Sequence, residues 1–201
     1  MCFRLTLQQC RYVYPGATER KRHAIERGFS LTELLVVLGI TALMVATAVP
    51  AFSNLMGTMR LRSASNALYF GLMLARSEAI KRNERVVVCK SATGTSCTVT
   101  GGWEQGWLVF VDTNNNSKSE TGEEIVLYQP RLPSSIHING NLPLANYVSY
   151  KGSGTTAQVS GAFQAGTITA CQVSKGEVDA HKIIISAVGK ARQVKDKVSI
   201  C

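Results

Sequence analysis

Three regimes of hydrophobic patterning follow one another along the chain. Phe29 to Val49 is apolar at most positions, with Glu33 as its single charge. At about 1.5 Å per helical residue this stretch reaches the roughly 30 Å of a bilayer core, so it predicts a membrane-spanning helix. Beyond Pro50 the pattern turns amphipathic. Phe52, Leu55, Met56, Met59, Ala64, Leu68, Gly71, Leu72, Ala75 and Ala79 recur at three- and four-residue steps, which predicts a helix with one buried face. Arg60, Arg62, Arg76, Lys81 and Arg82 lie mostly off that face. One helix from about Phe29 to about Lys81 is expected, half in membrane and half packed on a sheet. From Arg85 the period falls to two. Val86 to Val88, Trp107 to Val111, Ile125 to Tyr128, Tyr147 to Tyr150, Thr167 to Cys171 and Lys182 to Ser186 read as strands, and Cys97 to Thr100 is expected to pair back on the first of them. Between 129 and 165, Pro130, Pro133, Gly140 and Pro143 punctuate short apolar runs such as Ser135 to Ile138, a pattern of loops and edge strands. Gly152-Ser153-Gly154-Thr155-Thr156 lacks the lysine and spacing of a phosphate loop and reads as a turn. The fold class expected is α+β: a long N-terminal helix against a mostly antiparallel sheet module.

Charge sharpens the N-terminal reading. Arg20-Lys21-Arg22-His23 and Arg27 precede the apolar stretch, which puts that side in the cytoplasm and the remainder outside. An ionisable residue within a membrane span is costly, and Glu33 is therefore a functional candidate. The segment differs from a secretory signal, whose cleavage site follows its apolar core. Here the boundary precedes it.

Gly28-Phe29-Ser30-Leu31-Thr32-Glu33-Leu34 resembles the processing site of type IV prepilins and type II secretion pseudopilins. The resemblance implies that a prepilin peptidase cuts after Gly28 and N-methylates Phe29. It also implies that Glu33 pairs with the N-terminal amine of a neighbouring subunit during assembly. The pairing has a physical basis, since a carboxylate in lipid is penalised until an ammonium partners it. Thr32 departs from the aliphatic residue usual there. Pro50 matches a proline that in pilins marks a bend or a segment able to melt in the filament. The domains expected are a leader over 1–28, a transmembrane and assembly half over 29–50, and a periplasmic domain over 51–201, with the helix continuing over 51–82 and the β module over 85–201. The leader is long for this family, and a translation start placed too early is one explanation for that.

A second resemblance is narrower. Trp103-Glu104-Gln105-Gly106-Trp107-Leu108-Val109-Phe110-Val111-Asp112-Thr113-Asn114-Asn115, followed by Gly122-Glu123-Glu124, resembles the sheet hairpin of the GspH/FimT group, which includes FimU-like minor pilins. Asp112, Asn114 and Asn116 also echo the start of a calcium loop, but Ser117 replaces its glycine, and an Asn-rich turn is the expectation. Solvent exposure is expected for the carboxylates from Asp112 to Glu124.

The net charge of +9 is partly a property of the leader. Residues 1–28 hold six basic and two acidic residues, leaving 16 against 11, or +5, after processing. Processing also removes Cys2 and Cys10. Cys89, Cys97, Cys171 and Cys201 remain, and an even number beyond a membrane anchor suggests disulfides in an oxidising periplasm. Three pairings are open. Cys89–Cys97, closing a short loop, and Cys171–Cys201, tying the last residue to the sheet, are favoured. No CxxC pair occurs and the histidines are scattered, so no metal or other cofactor is expected.

Gly189-Lys190-Ala191-Arg192 resembles the G-R-x-R motif of FimT-type pilins that contact DNA. With Lys195 and Lys197 it implies weak, salt-sensitive binding of double-stranded DNA without sequence preference. Lysine at position 190 keeps the charge and loses the guanidinium fork. An edge strand guarded by lysines, or a contact with acidic neighbours in a pilus tip, competes with that reading. No catalytic constellation is present around His137 or His181, and the expectation is an assembly protein, not an enzyme. The partners implied are other pilins or pseudopilins, prepilin peptidase, the inner membrane and DNA. The roles implied are a minor type IV pilin, with a GspH pseudopilin of type II secretion as the alternative.

Overall fold

The computed structural model describes residues 28–173, 177–199 and 201; the expected leader over 1–27 lies outside them. The longest element is α1, Leu31–Arg82. By its contacts the chain divides after Val45. In the first unit the apolar residues are exposed, and the window Leu31–Val49 has a mean hydropathy of 2.1 with none of it buried. It is a helix long and apolar enough to cross a membrane.

The second unit, from Ala46, holds the core. Leu61, Ala64, Leu68, Leu72, Ala75 and Ala79 of α1 are buried. They repeat at three- and four-residue steps and so form one stripe. Gly71 continues it, because a methyl group there would stand 3.0 Å from Trp107 Nε1. The stripe starts later than its periodicity suggests. Phe52, Leu55 and Met59 are 64, 50 and 54% exposed, since the residues that cover the helix begin near Gly57, against which the Gln172 amide lies. The helix ends with Asn83 in the left-handed region, φ 54°, a common stop. Arg82 locks this end. Its Nε donates to Glu78 Oε2 at 2.7 Å, and its two terminal nitrogens donate to Glu124 at 2.6 and 2.8 Å.

Two antiparallel sheets pack on the stripe. The first contains β1 (Val86–Lys90), β2 (Trp107–Val111), β3 (Ile125–Gln129) and β5 (Tyr147–Tyr150) in the order β3-β2-β1-β5. The second contains β4 (Ile136–Gly140), β6 (Gly166–Gln172), β7 (Val178–Ile185) and β8 (Ala191–Val198) in the order β4-β6-β7-β8. Val86, Val88, Trp107, Val109, Val148 and Tyr150 from the first, with Ile138, Ile168, Ala170, Ile183 and Ile185 from the second, share one core with the helix. The opposite face of the first sheet buries Val87, Cys89, Leu108 and Phe110 under loops. Burial pushes the Tyr150 phenol well above its ordinary value.

Two sequence expectations give way here. Cys97 to Thr100 forms no strand. One backbone hydrogen bond, Thr98 N–H to Lys90 O at 2.8 Å, links it to β1. The loop instead wraps the Lys90 ammonium, which donates to Val99 O and Gly101 O at 3.2 and 2.7 Å. Burial lowers the affinity of Lys90 for its proton, and Glu104 partly opposes this. Asp112 is 1% exposed rather than solvated. Its two carboxylate oxygens accept the amides of Asn116 and Ser117 at 3.0 and 2.9 Å. That anchors a turn in which Asn115 and Ser117 adopt φ 63° and 57°.

Candidate functional site

Two regions carry the chemistry singled out in the sequence, and they belong to different units. At the N-terminal end, Gly28 to Ser30 precede α1 without regular structure. Ser30 starts the helix. Its Oγ accepts the Glu33 amide at 3.1 Å, and its carbonyl accepts the Leu34 amide at 3.1 Å. The spacing Ser30-x-x-Glu33 is that of a capping box, a signal present in the sequence and overlooked there. Glu33 lies in the first turn, where the helix dipole favours a negative group. Phe29 is 84% exposed, and Gly28 and Phe29 precede the helical hydrogen bonding that begins at Ser30. Pro50 falls within the bounds of α1.

The second region is the edge strand β8 with the turn before it. Lys190 precedes the strand instead of opening it. The turn from Ser186 closes when the Gly189 amide donates to Ser186 O at 2.8 Å and the Ser186 amide to Lys190 O at 3.1 Å. Glycine is required in this turn: Gly189 has φ 76°, and a Cβ there would lie 2.0 Å from Gly154 O. Arg76 fastens the same turn from the helix, with Nε on Gly154 O at 3.0 Å and Nη2 on Val188 O at 3.3 Å.

The strand divides its basic residues between two faces. Ala191 is buried toward α1, and the Gln193 amide donates to Ser65 O and Oγ at 3.0 and 3.2 Å. Alternation places Lys195 and Lys197 on that helix-facing side and Arg192 on the other. On the outer face Asp196 binds the Lys182 ammonium, which holds its carboxyl below the usual carboxylate range. Lys197 is already engaged, with Nζ 3.1 Å from Glu177 Oε2, a contact that raises its proton affinity. Lys190, Arg192 and Lys195 have no ion-pair partner among the described residues. The four basic residues of the motif therefore do not converge on one surface.

The sulfur chemistry bears on the same strand. Cys171 in β6 is bonded to Cys201, and Cys89 in β1 to Cys97. Cys171 and Cys201 cluster with Val178, Ala180 and Val198 on the outer side of the second sheet, which draws β7 out to Val178, four residues before the start its β-branched run suggests. His137 faces Glu104, with Nδ1 3.2 Å from Oε1. Among the described residues no three His, Cys, Asp or Glu side chains are grouped so as to hold a metal.

Comparison with known proteins agrees with this architecture. A model of the family described as type II transport protein GspH matches residues 64–189. The pilin-like protein PilA1 of Thermus thermophilus is 30% identical over 174 residues, which cover 83% of this chain and 97% of PilA1. Among solved structures, the type IV minor pilin FimU of Pseudomonas aeruginosa superimposes with a TM-score of 0.50 at 18% identity, over 67% of this chain and 87% of FimU. That likeness shows a shared fold.

Proposed function

Because the chain belongs to the GspH family and carries the type IV pilin fold, we propose that it is a minor pilin that enters a type IV pilus through its N-terminal helix and assists assembly of the filament. The observation that carries this reading is the window Leu31–Val49, wholly unburied and charged only at Glu33. A bare apolar helix with one carboxylate suits a subunit that waits in a membrane and then packs against its like. In this reading prepilin peptidase cuts between Gly28 and Phe29, the inner membrane holds the helix, and the β module lies in the periplasm before incorporation. Glu33 pairs with a neighbouring amine, and Pro50 marks the passage from the membrane half to the module. The exposed cations Lys190, Arg192, Lys195 and Lys197 contact double-stranded DNA without sequence preference during uptake.

The description of the matching family favours a second reading, a minor pseudopilin of type II secretion. A deletion strain separates the two. The pilin reading expects fewer surface pili and unchanged exoproteins; exoproteins trapped in the periplasm with normal pili would overturn it. Complementation with Glu33→Ala tests assembly itself. The variant should accumulate in the membrane and be missing from sheared filaments, and its normal incorporation would refute the role given to Glu33.

A further inference from the structure

The helix-facing side of β8 meets cations that lie outside the C-terminal motif. Gln193 is bonded to Ser65. Arg62 stands one helical turn before Ser65, and Lys195 stands two residues beyond Gln193 on the same strand face. Across the ladder Lys195 pairs in register with His181, and the charges of both Lys195 and Arg62 act on the His181 ring. Three basic groups from α1, β7 and β8 thus meet at one seam.

Neither Arg62 nor Lys195 has an acidic partner within ion-pair distance among the described residues. On the same hairpin Lys182 is matched with Asp196 and Lys197 with Glu177, whereas Lys190 and Arg192 at the turn have no ion-pair partner among the described residues. What sets the seam apart is that its cations come from three elements that border one another, so one anion from outside could touch all three.

We infer that Arg62, His181 and Lys195 form one seat for the phosphodiester backbone of duplex DNA, across the seam between α1 and the edge strand. The inference rests on the DNA-contact reading above and moves its centre from the Lys190–Arg192 turn to this seam. Phosphate oxygens suit the set, because the guanidinium offers a fork and the other two supply charge that needs no base sequence. Gln193 is a positioning residue, since its bonds to Ser65 hold the strand at the helix. No aromatic side chain takes part in the seat, so base stacking has no share in it.

The histidine makes the seat responsive to pH. Burial holds the His181 ring below its ordinary proton affinity, Lys195 and Arg62 push the same way, and Asp179 on its own strand opposes them. Its neighbour in β6 is Ala170, which carries no charge. A bound phosphate offsets the two cations and favours the imidazolium. Affinity should therefore rise as pH falls.

The test uses the full chain in detergent micelles and a fluorescent duplex of about 30 base pairs, with anisotropy read across a salt series. Wild type should bind, and more tightly at about pH 5.5 than at about pH 8. Arg62→Gln/Lys195→Gln should lose about tenfold and flatten the salt slope by about 2, while Lys190→Gln/Arg192→Gln should lose less. Arg62→Lys/Lys195→Arg should retain binding, and His181→Gln should abolish the pH dependence. If the outer-turn pair loses binding and the seam pair does not, the seam is refuted while the DNA reading stands. If wild type fails to bind at low salt at either pH, the DNA reading falls and the seam with it.

Discussion

Breaking the Cys171–Cys201 bond should destabilise the β module more than breaking Cys89–Cys97. The bonds span 30 and 8 residues. Closing loops of those lengths in the unfolded chain corresponds to about 3.6 and about 2.5 kcal/mol at 25 °C. The longer bond also holds the cluster of Val178, Ala180 and Val198, so its figure is a lower bound. The chain has two tryptophans, and both Trp103 and Trp107 are fully buried in this module, so fluorescence during urea unfolding reports its state alone. With a slope of about 3 kcal/mol/M, Cys171→Ala/Cys201→Ala should lower the midpoint by about 1.2 M and Cys89→Ala/Cys97→Ala by about 0.8 M. Equal shifts, or the reverse order, would refute loop closure as the source of the difference.

Gly189→Ala should destabilise by about 1–3 kcal/mol, because alanine meets both a positive φ and the Gly154 carbonyl; the same urea titration checks it. Leu68→Ala, at the centre of the buried stripe, should cost about 3–5 kcal/mol without changing the far-ultraviolet spectrum of the folded chain. The depressed proton affinity of His181 has a defined sign: the unfolded chain takes up the proton first. Stability should therefore fall as pH drops below the ordinary histidine range of about 6.5, and the fall should be smaller in His181→Gln, as thermal melts across that range would show.

Much of this fold was legible from period alone. The apolar run, the stripe from Ala64 to Ala79, and strands such as β2 follow from spacing and β-branching, which are local properties. What period cannot show is where the partner of a face ends. Phe52, Leu55 and Met59 keep the helical rhythm but lie beyond the reach of the sheets. The start of β7 depended on a disulfide and its small cluster, and the burial of Asp112 on two amides only a folded turn presents. The basic tail was visible as composition. Its division between two faces needed the strand register and the contact of Gln193 with Ser65, and Arg62 lies 133 positions from Lys195 in the sequence, where no motif could join them. At the other end the Ser30–Glu33 cap was present in the letters and overshadowed by the processing motif around it.

Arg76 gives the module a mechanical property. One guanidinium holds the turn at Gly154 and the turn at Val188, and Gly189 lets those two backbones touch. Tension applied at the β7–β8 turn therefore has two routes into the helix, one through the strand ladder and one directly through Arg76. The direct route bypasses the edge strand, whose outer side has no ladder to share a load. A cargo tugging on this hairpin would strain α1 before it peeled β8 away, and a subunit lacking the Arg76 clamp would yield at the hairpin first.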